Sequence, residues 1–420
     1  MKDYLAKKYI FSALFIVVLF ALSISNFIFS FDLVKKDMVD VAKTLKERSV
    51  EEMMYNLNTM VDTFDTSSTN NIQHKYKYIE LFGTYNRVLG KNEFNSFKVI
   101  KDNNGNLHNG TVWEFDLTNT IPTMDFAKRV YNMSEKLKDT KTKVYVVSMP
   151  VRTMPEYMDY EKGLPIADYS DVADDYLYYC NLLNLRTIDI RETIRTAASS
   201  YNLTYNDLFF RTDHHWTPLA AFYGFGYLVE QLRADGFDLD SENFYTDINN
   251  YSIETSKESW VGTFGCKTGI VYMGDFESIT ILNPTYKTKF RYTYYDSNGD
   301  RLSREGDFQS TLLYKNYMEM DKENLYEYSA YNVYMGGVRE KENIINLNNP
   351  DGPKVLFIRD SYTSPMAAFF ANLCSEMDLI WAKEYDGNVE ELVENGDYDF
   401  IFVSTWPVNL EEASFNFYKD

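Results

Sequence analysis

Two of the four histidines in this chain are adjacent, in the segment RTDHHWTPLAAF at 211–222. Asp213 and His215 are two residues apart, so on an extended backbone their side chains point to one side while His214 points to the other. A carboxylate beside an imidazole orients the ring and stabilises its protonated form, as a general base requires. We therefore predict that Asp213 and His215 lie within hydrogen-bonding distance and act together.

A base of this kind needs a nucleophile, and Ser361 is the best-placed hydroxyl. The segment KVLFIRDSYTSPMAAFF (354–370) reads as an apolar strand, a short polar turn and a helix, a context that raises a serine to the edge of a sheet. Amides at the start of the helix can donate to an oxyanion. Asp360 precedes the serine in the turn and is expected to point away from it.

Each of these residues also has a purely structural explanation. Asp213 could cap the helix whose start is signalled by Thr217-Pro218, the histidines could be ordinary core or surface residues, and Ser361 could be a helix N-cap. A two-histidine metal site is a further alternative. However, adjacent histidines face opposite ways and no other histidine is near in sequence, so we predict no metal and no cofactor.

Composition narrows the class of protein. A chain of 420 residues with 45% hydrophobic content can bury a sizeable core. The formal net charge of −20 repels phosphate backbones, so nucleic acid is not an expected partner. Cys180, Cys266 and Cys374 are widely spaced and indicate neither a disulfide framework nor a thiolate metal site.

The N-terminus carries the signal for a membrane. Lys2, Lys7 and Lys8 precede an uncharged run at 9–31, which is long enough to span a bilayer as a helix. The lysines are expected to stay in the cytoplasm. A cleaved signal peptide is the alternative, although its apolar region is usually only about 7–15 residues. We predict that residues 1–32 form an uncleaved single-pass anchor in the cell membrane, with the bulk of the chain on the extracytoplasmic side.

Apolar residues at helical spacing predict a stalk within 33–74, closed by a linker, DTSSTNN, at 65–71. Residues 75–420 are predicted to form one α/β domain. It opens with a β-hairpin around an Asn-Gly turn, in which His108 is expected to face solvent.

Helices and strands then alternate, with strands at 143–150 and 186–190, and the alternation resumes at 354. This pattern predicts a mostly parallel sheet with helices on both faces and its reactive loops at the carboxyl ends of the strands. The segment at about 240–335 breaks the pattern. It is predicted to be a β-rich insertion that contains a hairpin around Asn298-Gly299.

The motifs DHHW (213–216) and IRDSY (358–362) resemble the bacterial DHHW family, itself similar to the SGNH-hydrolase-like domains of the alginate O-acetylation proteins. The resemblance covers roughly 75–420 and implies an SGNH-like, flavodoxin-like α/β fold. It also implies that Asp213 is the orienting acid, His215 the base and Ser361 the nucleophile. The order of the three is reversed relative to typical SGNH hydrolases, but geometry rather than order defines a triad.

The residues around this triad complete the predicted site. The family often has Gly-Gly-Asn before the serine strand, whereas this chain has Gly336-Gly337-Val338 and so lacks the asparagine. The backbone amides of Gly337 and Ser361 are the remaining candidates for an oxyanion hole. Candidates for substrate binding are His214, Trp216 and Tyr362.

The resemblance implies a cell-surface O-acetyltransferase that acts on an exopolysaccharide or cell-wall glycan, with a membrane-bound O-acyltransferase as the partner that delivers acetyl across the bilayer. Two alternatives stay open. A carbohydrate acetylesterase would use the same triad but pass the acetyl group to water, and how well the acceptor cleft excludes water decides between the two. A surface carbohydrate-binding or assembly protein would carry the triad in an inert form.

Overall fold

The chain folds into two compact units, residues 1–83 and 84–420, in a computed structural model. The structure describes residues 2–44, 50–110, 121–154, 157–256, 260–296 and 299–419.

The first unit is built on two long helices, α1 (Lys2–Thr44) and α2 (Val50–Asn70), and α3 (Lys75–Val88) follows them. Residues 7–43 of α1 are long and apolar enough to cross a membrane, and only 6% of the most apolar stretch is buried. The N-terminal helix thus has the length and composition of a membrane anchor or a signal sequence.

Helix α2 returns along α1 and does not extend it as a stalk. The Ser67 hydroxyl donates to the Asp37 carboxylate at 2.6 Å, and the Gln73 amide donates to the Asn26 side-chain oxygen at 2.7 Å. Helix α2 also continues through almost all of the predicted linker at 65–71. The contacts with α1 outweigh the low helix propensity of serine, threonine and asparagine in this segment.

The second unit contains all thirteen strands that the structure describes, and most of the helices. Its elements are β1 (Glu93–Phe94), β2 (Val99–Lys101), β3 (Leu107–Asn109), α4 (Thr123–Lys136), β4 (Lys143–Ser148), α5 (Tyr169–Leu182), β5 (Arg186–Asp189), α6 (Arg191–Ser200), α7 (Tyr205–Leu208), α8 (Pro218–Ala234), β6 (Tyr251–Thr255), α9 (Thr263–Thr268), α10 (Ile270–Met273), β7 (Thr280–Pro284), β8 (Phe290–Tyr295), β9 (Arg301–Gly306), α11 (Phe308–Leu312), β10 (Lys341–Asn346), β11 (Lys354–Arg359), α12 (Thr363–Phe370), β12 (Glu376–Ile380), α13 (Val389–Asn395) and β13 (Phe400–Thr405).

The main sheet has eight strands in the order β5-β4-β13-β11-β12-β10-β8-β9. The strands from β5 to β12 are parallel, and β10, β8 and β9 extend the sheet in antiparallel fashion at one edge. The prediction of a mostly parallel α/β sheet is therefore confirmed.

Alternate residues of the central strands face two separate hydrophobic cores. In β4, Tyr145 and Val147 pack into the core that contains α8 and α12, while Val144 and Val146 pack into the core that contains α4 and α5. Burial on both faces explains why these strands read as nearly continuous apolar runs in the sequence. Helices cover both faces of the sheet, as predicted.

The strand order is a permuted flavodoxin-like order. Counted from β11, the parallel strands β12, β11, β13, β4 and β5 stand in the order 2-1-3-4-5, which is the doubly wound flavodoxin-like arrangement. The chain therefore enters this fold at its fourth strand. Because of this permutation, Ser361 follows the first strand of the fold but comes after Asp213 and His215 in the sequence.

The segment at about 240–335 supplies a two-stranded sheet, β6-β7, and the edge strands β8 and β9 of the main sheet. The β8–β9 pairing agrees with a hairpin at the predicted place, but Asn298 itself lies outside the described residues. This segment also carries helices α9 to α11, so it mixes both kinds of element.

His108 corrects one prediction from the sequence. It lies in β3 and is fully buried, with its Nε2 atom 3.1 Å from the Asp102 carboxylate. Burial lowers the pKa of His108 to about 4, and the hydrogen bond with Asp102 offsets only part of this effect. The residue does not face solvent because its strand packs against the loop that carries Asp213 and His215, where the Leu107 amide donates to the Arg211 carbonyl at 2.8 Å.

Candidate active site

Three neighbouring parallel strands end at one edge of the sheet, and a short segment follows each of them. Ser361 comes two residues after β11, Trp406 directly after β13, and Arg152 four residues after β4. The carboxyl ends of parallel strands are where open α/β sheets place their ligands. The site is therefore built where the fold predicts it.

The turn that carries Ser361 is held by Asp360. Its buried carboxylate accepts hydrogen bonds from the amides of Trp406 (2.6 Å) and Tyr362 (3.0 Å) and from the Asn409 side chain (3.1 Å). Asp360 is thus directed into the turn and away from the serine side chain, as expected. Because Tyr362 is the N-cap residue of α12, Ser361 precedes the cap and is not used by it.

The loop that carries the histidines is fixed by the helix after it. The Thr217 side chain caps α8 by accepting a hydrogen bond from the Ala220 amide at 3.1 Å, and Pro218 occupies the first turn. The predicted start of this helix is confirmed. Asp213 does not serve as the cap, so its carboxylate is available for the histidine.

Asp213, His215 and Ser361 form one hydrogen-bonded chain. The Nδ1 atom of His215 lies 2.6 Å from the Asp213 Oδ1 atom, and its Nε2 atom lies 2.8 Å from the Ser361 Oγ atom. Asp213 is fully buried, and His215 is nearly so. An aspartate that orients an imidazole, which in turn contacts a serine hydroxyl, is the geometry of a nucleophile with its general base.

The Asp213 carboxylate is fully satisfied by hydrogen bonds. Its Oδ2 atom accepts from the amide (2.8 Å) and the hydroxyl (2.7 Å) of Thr263, at the start of α9, and its Oδ1 atom also accepts from the His215 amide at 2.9 Å. Burial alone would raise the pKa of Asp213, but the adjacent imidazoles and these hydrogen bonds hold it well below its usual range. The group is an anion suited to a protonated His215.

Gly262 lets α9 come close enough to make these bonds. A Cβ atom at this position would lie 2.3 Å from the Thr212 carbonyl oxygen and 2.6 Å from the Asp213 amide nitrogen. No side chain fits at that distance. The absence of a side chain at Gly262 therefore allows the Thr263 donors to reach Asp213.

The His214 ring lies against the His215 ring, with the centroids 3.8 Å apart, so the two adjacent histidines do not face opposite ways as predicted; His214 also lines a narrow cavity. Its Nδ1 atom lies 3.1 Å from the Thr263 hydroxyl, and its ring stacks on Trp406 with the centroids 5.1 Å apart. Burial, followed by the neighbouring His215, lowers the pKa of His214 to about 3, so the ring is neutral near pH 7. The cavity has a volume of about 10 Å³ and is also lined by Arg152 and Phe264. This position is compatible with the predicted contact with a substrate.

The ligand atoms of Asp213, His214 and His215 lie within 4.8 Å of one another, so their proximity alone would permit a metal ion. The 2.6 Å separation between Asp213 and the His215 Nδ1 atom is that of a hydrogen bond. Two tetrahedral ligands at about 2.0–2.1 Å from zinc stand farther apart, at roughly 3.3 Å. The arrangement fits a proton-sharing pair better than a metal centre.

The two oxyanion candidates differ. The Ser361 amide makes no hydrogen bond within the part of the chain that the structure describes, and it lies beside the N-terminus of α12, whose dipole favours negative charge. The Gly337 amide donates to the Tyr334 carbonyl at 3.3 Å. Gly337 is thus already engaged in its own turn, and Ser361 is the better candidate.

Trp216 and Tyr362 are corrected as candidates for substrate binding, because both side chains are fully buried. The Trp216 indole N–H donates to the Tyr362 carbonyl at 2.9 Å, and the Tyr362 hydroxyl donates to the His214 carbonyl. Their contacts join the histidine loop to the serine turn. They therefore position the triad and do not contact a ligand.

Residues 107–378 match the model of the DHHW protein family. The chain belongs to this family. The resemblance drawn from the two motifs is confirmed. No curated protein matches the chain.

Solved structures of three proteins are similar to this DHHW protein. A DHHW family protein from Eubacterium siraeum is 17% identical, with a TM-score of 0.53 over 76% of this chain and 96% of that one. Bacillus cereus PatB1, also solved with a sulfonyl adduct, is 15–17% identical, with TM-scores of 0.57–0.58 over 76% of this chain and 97–99% of that one. The O-acetyltransferase domain of Pseudomonas putida AlgJ is 12% identical, with a TM-score of 0.41 over 74% of this chain and 91% of that one, which is too distant to carry an argument. The first two show a shared fold.

Reasoning from sequence missed the supporting residues of this DHHW site. Thr263 lies in the segment predicted as an insertion, and no spacing connects it with Asp213. Arg152 is nearly buried, and its guanidinium donates to the Asp213 carbonyl. Arg152 and Trp406 could have been predicted as site residues from the sequence, since each follows a predicted strand at the edge of the sheet where such folds bind ligands.

Proposed function

We propose that this DHHW protein is a serine-dependent O-acyltransferase that moves an acetyl group onto a hydroxyl of an extracytoplasmic glycan. The observation that carries the proposal is the hydrogen-bonded chain from Asp213 through His215 to the Ser361 hydroxyl, at 2.6 and 2.8 Å. The choice of acetyl and glycan rests on the resemblance of the DHHW and IRDSY motifs to those of the alginate O-acetylation proteins.

The chemistry proceeds in two balanced steps. In the first, the Ser361 Oγ atom attacks the carbonyl carbon of the acetyl donor while the His215 Nε2 atom takes the hydroxyl proton. His215 then protonates the leaving group as the donor's ester bond breaks, which leaves an acetyl-serine.

In the second step, His215 takes the proton of the acceptor hydroxyl, whose oxygen attacks the acetyl-serine. The new ester is released, and Ser361 regains a proton from His215. Asp213 stabilises the imidazolium that forms in each step. The developing oxyanion is next to the Ser361 amide and the N-terminus of α12.

The preference for transfer over hydrolysis rests on the same motif resemblance, because the triad can take a proton from a sugar hydroxyl or from water in the second step. An acetylesterase therefore stays the second candidate.

The proposed setting is the cell membrane. The apolar helix α1 serves as a single-pass anchor, with the triad on the extracytoplasmic side, and a membrane-bound O-acyltransferase supplies the acetyl group. Protease added to intact spheroplasts should digest the bulk of the chain. Full protection would rule this topology out.

The enzyme test uses the full chain in detergent micelles. We expect the protein to release acetyl from p-nitrophenyl acetate, and Ser361→Ala to abolish this release. Ser199→Ala removes an exposed hydroxyl on α6 and serves as the matched control. Because PatB1 was solved with a sulfonyl adduct, phenylmethylsulfonyl fluoride is a suitable probe, and it should label a peptide that contains Ser361.

Mass spectrometry of oligosaccharides incubated with the enzyme and the acetyl donor separates the candidates. A gain of one acetyl group on the sugar supports the transferase. Release of free acetate alone supports the esterase. Equal acetyl release by the wild type and Ser361→Ala would show that Ser361 is not the nucleophile, and release no faster than in buffer alone would leave only the inert binding protein.

A further inference from the structure

A groove of about 900 Å³ lies outside the triad, between α6, α8 and the loop that precedes β6. It is far larger than the cavity of about 10 Å³ beside His214 and falls within the range of ligand sites. We infer that this groove binds a hexose polymer without acidic sugars and holds it as the acceptor. The inference names the substrate class of the proposed function and rests on it.

Aromatic rings form one part of the groove. Tyr201 and Tyr223 stack with their centroids 4.6 Å apart and their planes 21° apart, and Tyr227 lies one helical turn beyond Tyr223. Tyr201 is 57% exposed, so its side chain is accessible to a ligand. Flat aromatic faces held in a fixed orientation suit the C–H faces of pyranose rings, because the apolar ring and the polar hydroxyl match an amphipathic sugar.

Gly226 opens the floor of the groove. Of the two glycines in α8, Gly224 has a packing reason, since a Cβ atom there would lie 2.7 Å from the Trp216 ring. At Gly226 the nearest atoms to such a Cβ atom belong to Thr246, at 4.0 Å, so packing does not require glycine. A glycine within a helix costs about 1 kcal/mol relative to alanine. The close approach of a ligand to the helix backbone accounts for the presence of glycine at position 226.

Polar side chains complete the lining and define the ligand's charge. Glu230 and Asp247 offer carboxylates to sugar hydroxyls and Asn243 and Asn249 offer amides, although the Asp247 Oδ1 atom already accepts from the backbone and side-chain amides of Asn249, each at 2.9 Å. Arg233 is the cation among the lining residues, and its guanidinium donates to the Asn243 side chain at 2.5 Å. Two carboxylates against one engaged arginine, in a chain of formal net charge −20, disfavour uronic acids.

The groove lies along the helix that starts at the triad. Helix α8 begins three residues after His215, and Tyr223 is about 8 Å farther along its axis at 1.5 Å per residue. A polymer held on this helix is kept at a high effective concentration near the serine. Loss of the groove should therefore raise the KM for a polymeric acceptor.

The experiment measures binding by the full chain in detergent micelles. The probes are cellohexaose, maltohexaose and chitohexaose, with hexagalacturonate as the acidic comparison. At least one uncharged hexamer should bind, and more tightly than the uronate. Tyr201→Ala removes the exposed ring and Gly226→Trp fills the floor, and each should weaken this binding about tenfold or more. Tyr178→Ala, at an equally exposed tyrosine on α5 outside the groove, should leave binding unchanged.

Two outcomes would overturn the inference. One is that no uncharged hexamer binds at millimolar concentration, or that the uronate binds as tightly. The other is unchanged affinity in both Tyr201→Ala and Gly226→Trp, with folding checked by circular dichroism. Failure of the proposed function looks different, because acetyl release would persist in Ser361→Ala whether or not the hexamers bind at the groove.

Discussion

Replacing Gly262 with alanine should strongly lower the proposed acyl-transfer activity, although Asp213, His215 and Ser361 are not themselves replaced. The new Cβ atom would lie 2.3 Å from the Thr212 carbonyl oxygen, and ordinary contact begins near 3.4 Å, so this backbone must move by roughly 1 Å. The Phe264 and Gly265 amides, which donate to the same oxygen at 2.9 and 3.2 Å, resist the movement.

A shift of that size lengthens the contact between Asp213 and His215 from 2.6 Å to roughly 3.6 Å, beyond the range of a hydrogen bond. A misplacement of about 1 Å can cost about 100-fold in rate, or about 2.7 kcal/mol of transition-state stabilisation. We expect kcat for p-nitrophenyl acetate to fall by about that factor.

The matched control is Gly90→Ala. Gly90 has a φ of +64° and no atom within 4 Å of an added Cβ atom, so this substitution introduces backbone strain without displacing a neighbour. The free energy of unfolding of the Gly90→Ala variant should fall by about 1–2 kcal/mol while kcat stays unchanged. If Gly262→Ala keeps kcat within twofold of the wild type, the close approach of α9 does not set the position of Asp213, and the reasoning fails.

Three further predictions follow from the same contacts. Activity should fall by nearly the same factor in Ser361→Ala, His215→Ala and the double variant, since the effects of residues that act as one unit are non-additive. Additive losses in kcat/KM would contradict a triad that acts as one unit. His214→Ala should cost less kcat than His215→Ala, because it is the His215 Nε2 atom that lies 2.8 Å from the Ser361 hydroxyl, and the reverse ranking would make His214 the base. The free energy of unfolding, measured with urea, should fall as pH is lowered from about 6.5 to about 4, because the unfolded chain protonates both His108 and His214 in that window and the folded chain does not. His108→Gln should reduce this slope and leave the part due to His214, and an unchanged slope would exclude His108 as a cause.

The parallel part of the fold was predictable because its signals are local. Strands such as β11 and β13 are buried on both faces, so each appears in the sequence as an apolar run. The start of α8 was predictable for the same reason, because Thr217 and Pro218 lie next to the groups they serve. The contact between Asp213 and His215 was predicted from an extended backbone, whereas residues 211–215 form successive bends, so the pairing is right but its local reason was wrong.

The misjudged residues depend on contacts that are distant in sequence. His108 looked like an exposed loop residue because nothing near it in the sequence shows that the Arg211 backbone covers its strand. Trp216 and Tyr362 stand beside predicted catalytic residues, but the bond between the Trp216 indole and the Tyr362 carbonyl joins positions 146 residues apart. The predicted linker at 65–71 is helical because of α1, whose proximity its composition does not encode.

The permuted strand order explains why such distant contacts build this site. Strand β13, near the end of the chain, lies between β4 and β11, so the segment after it comes between the loops that follow the other two. Asp360 accepts the Trp406 amide at 2.6 Å, and Trp406 in turn stacks on both Tyr362 and His214. The C-terminal strand thus joins the serine turn to the histidine loop, although it contributes no member of the triad. If the chain began at β11, the serine turn would come first in the sequence. Strand β13 and Trp406 would then lie in the middle of the chain, and the same contacts would be made from there.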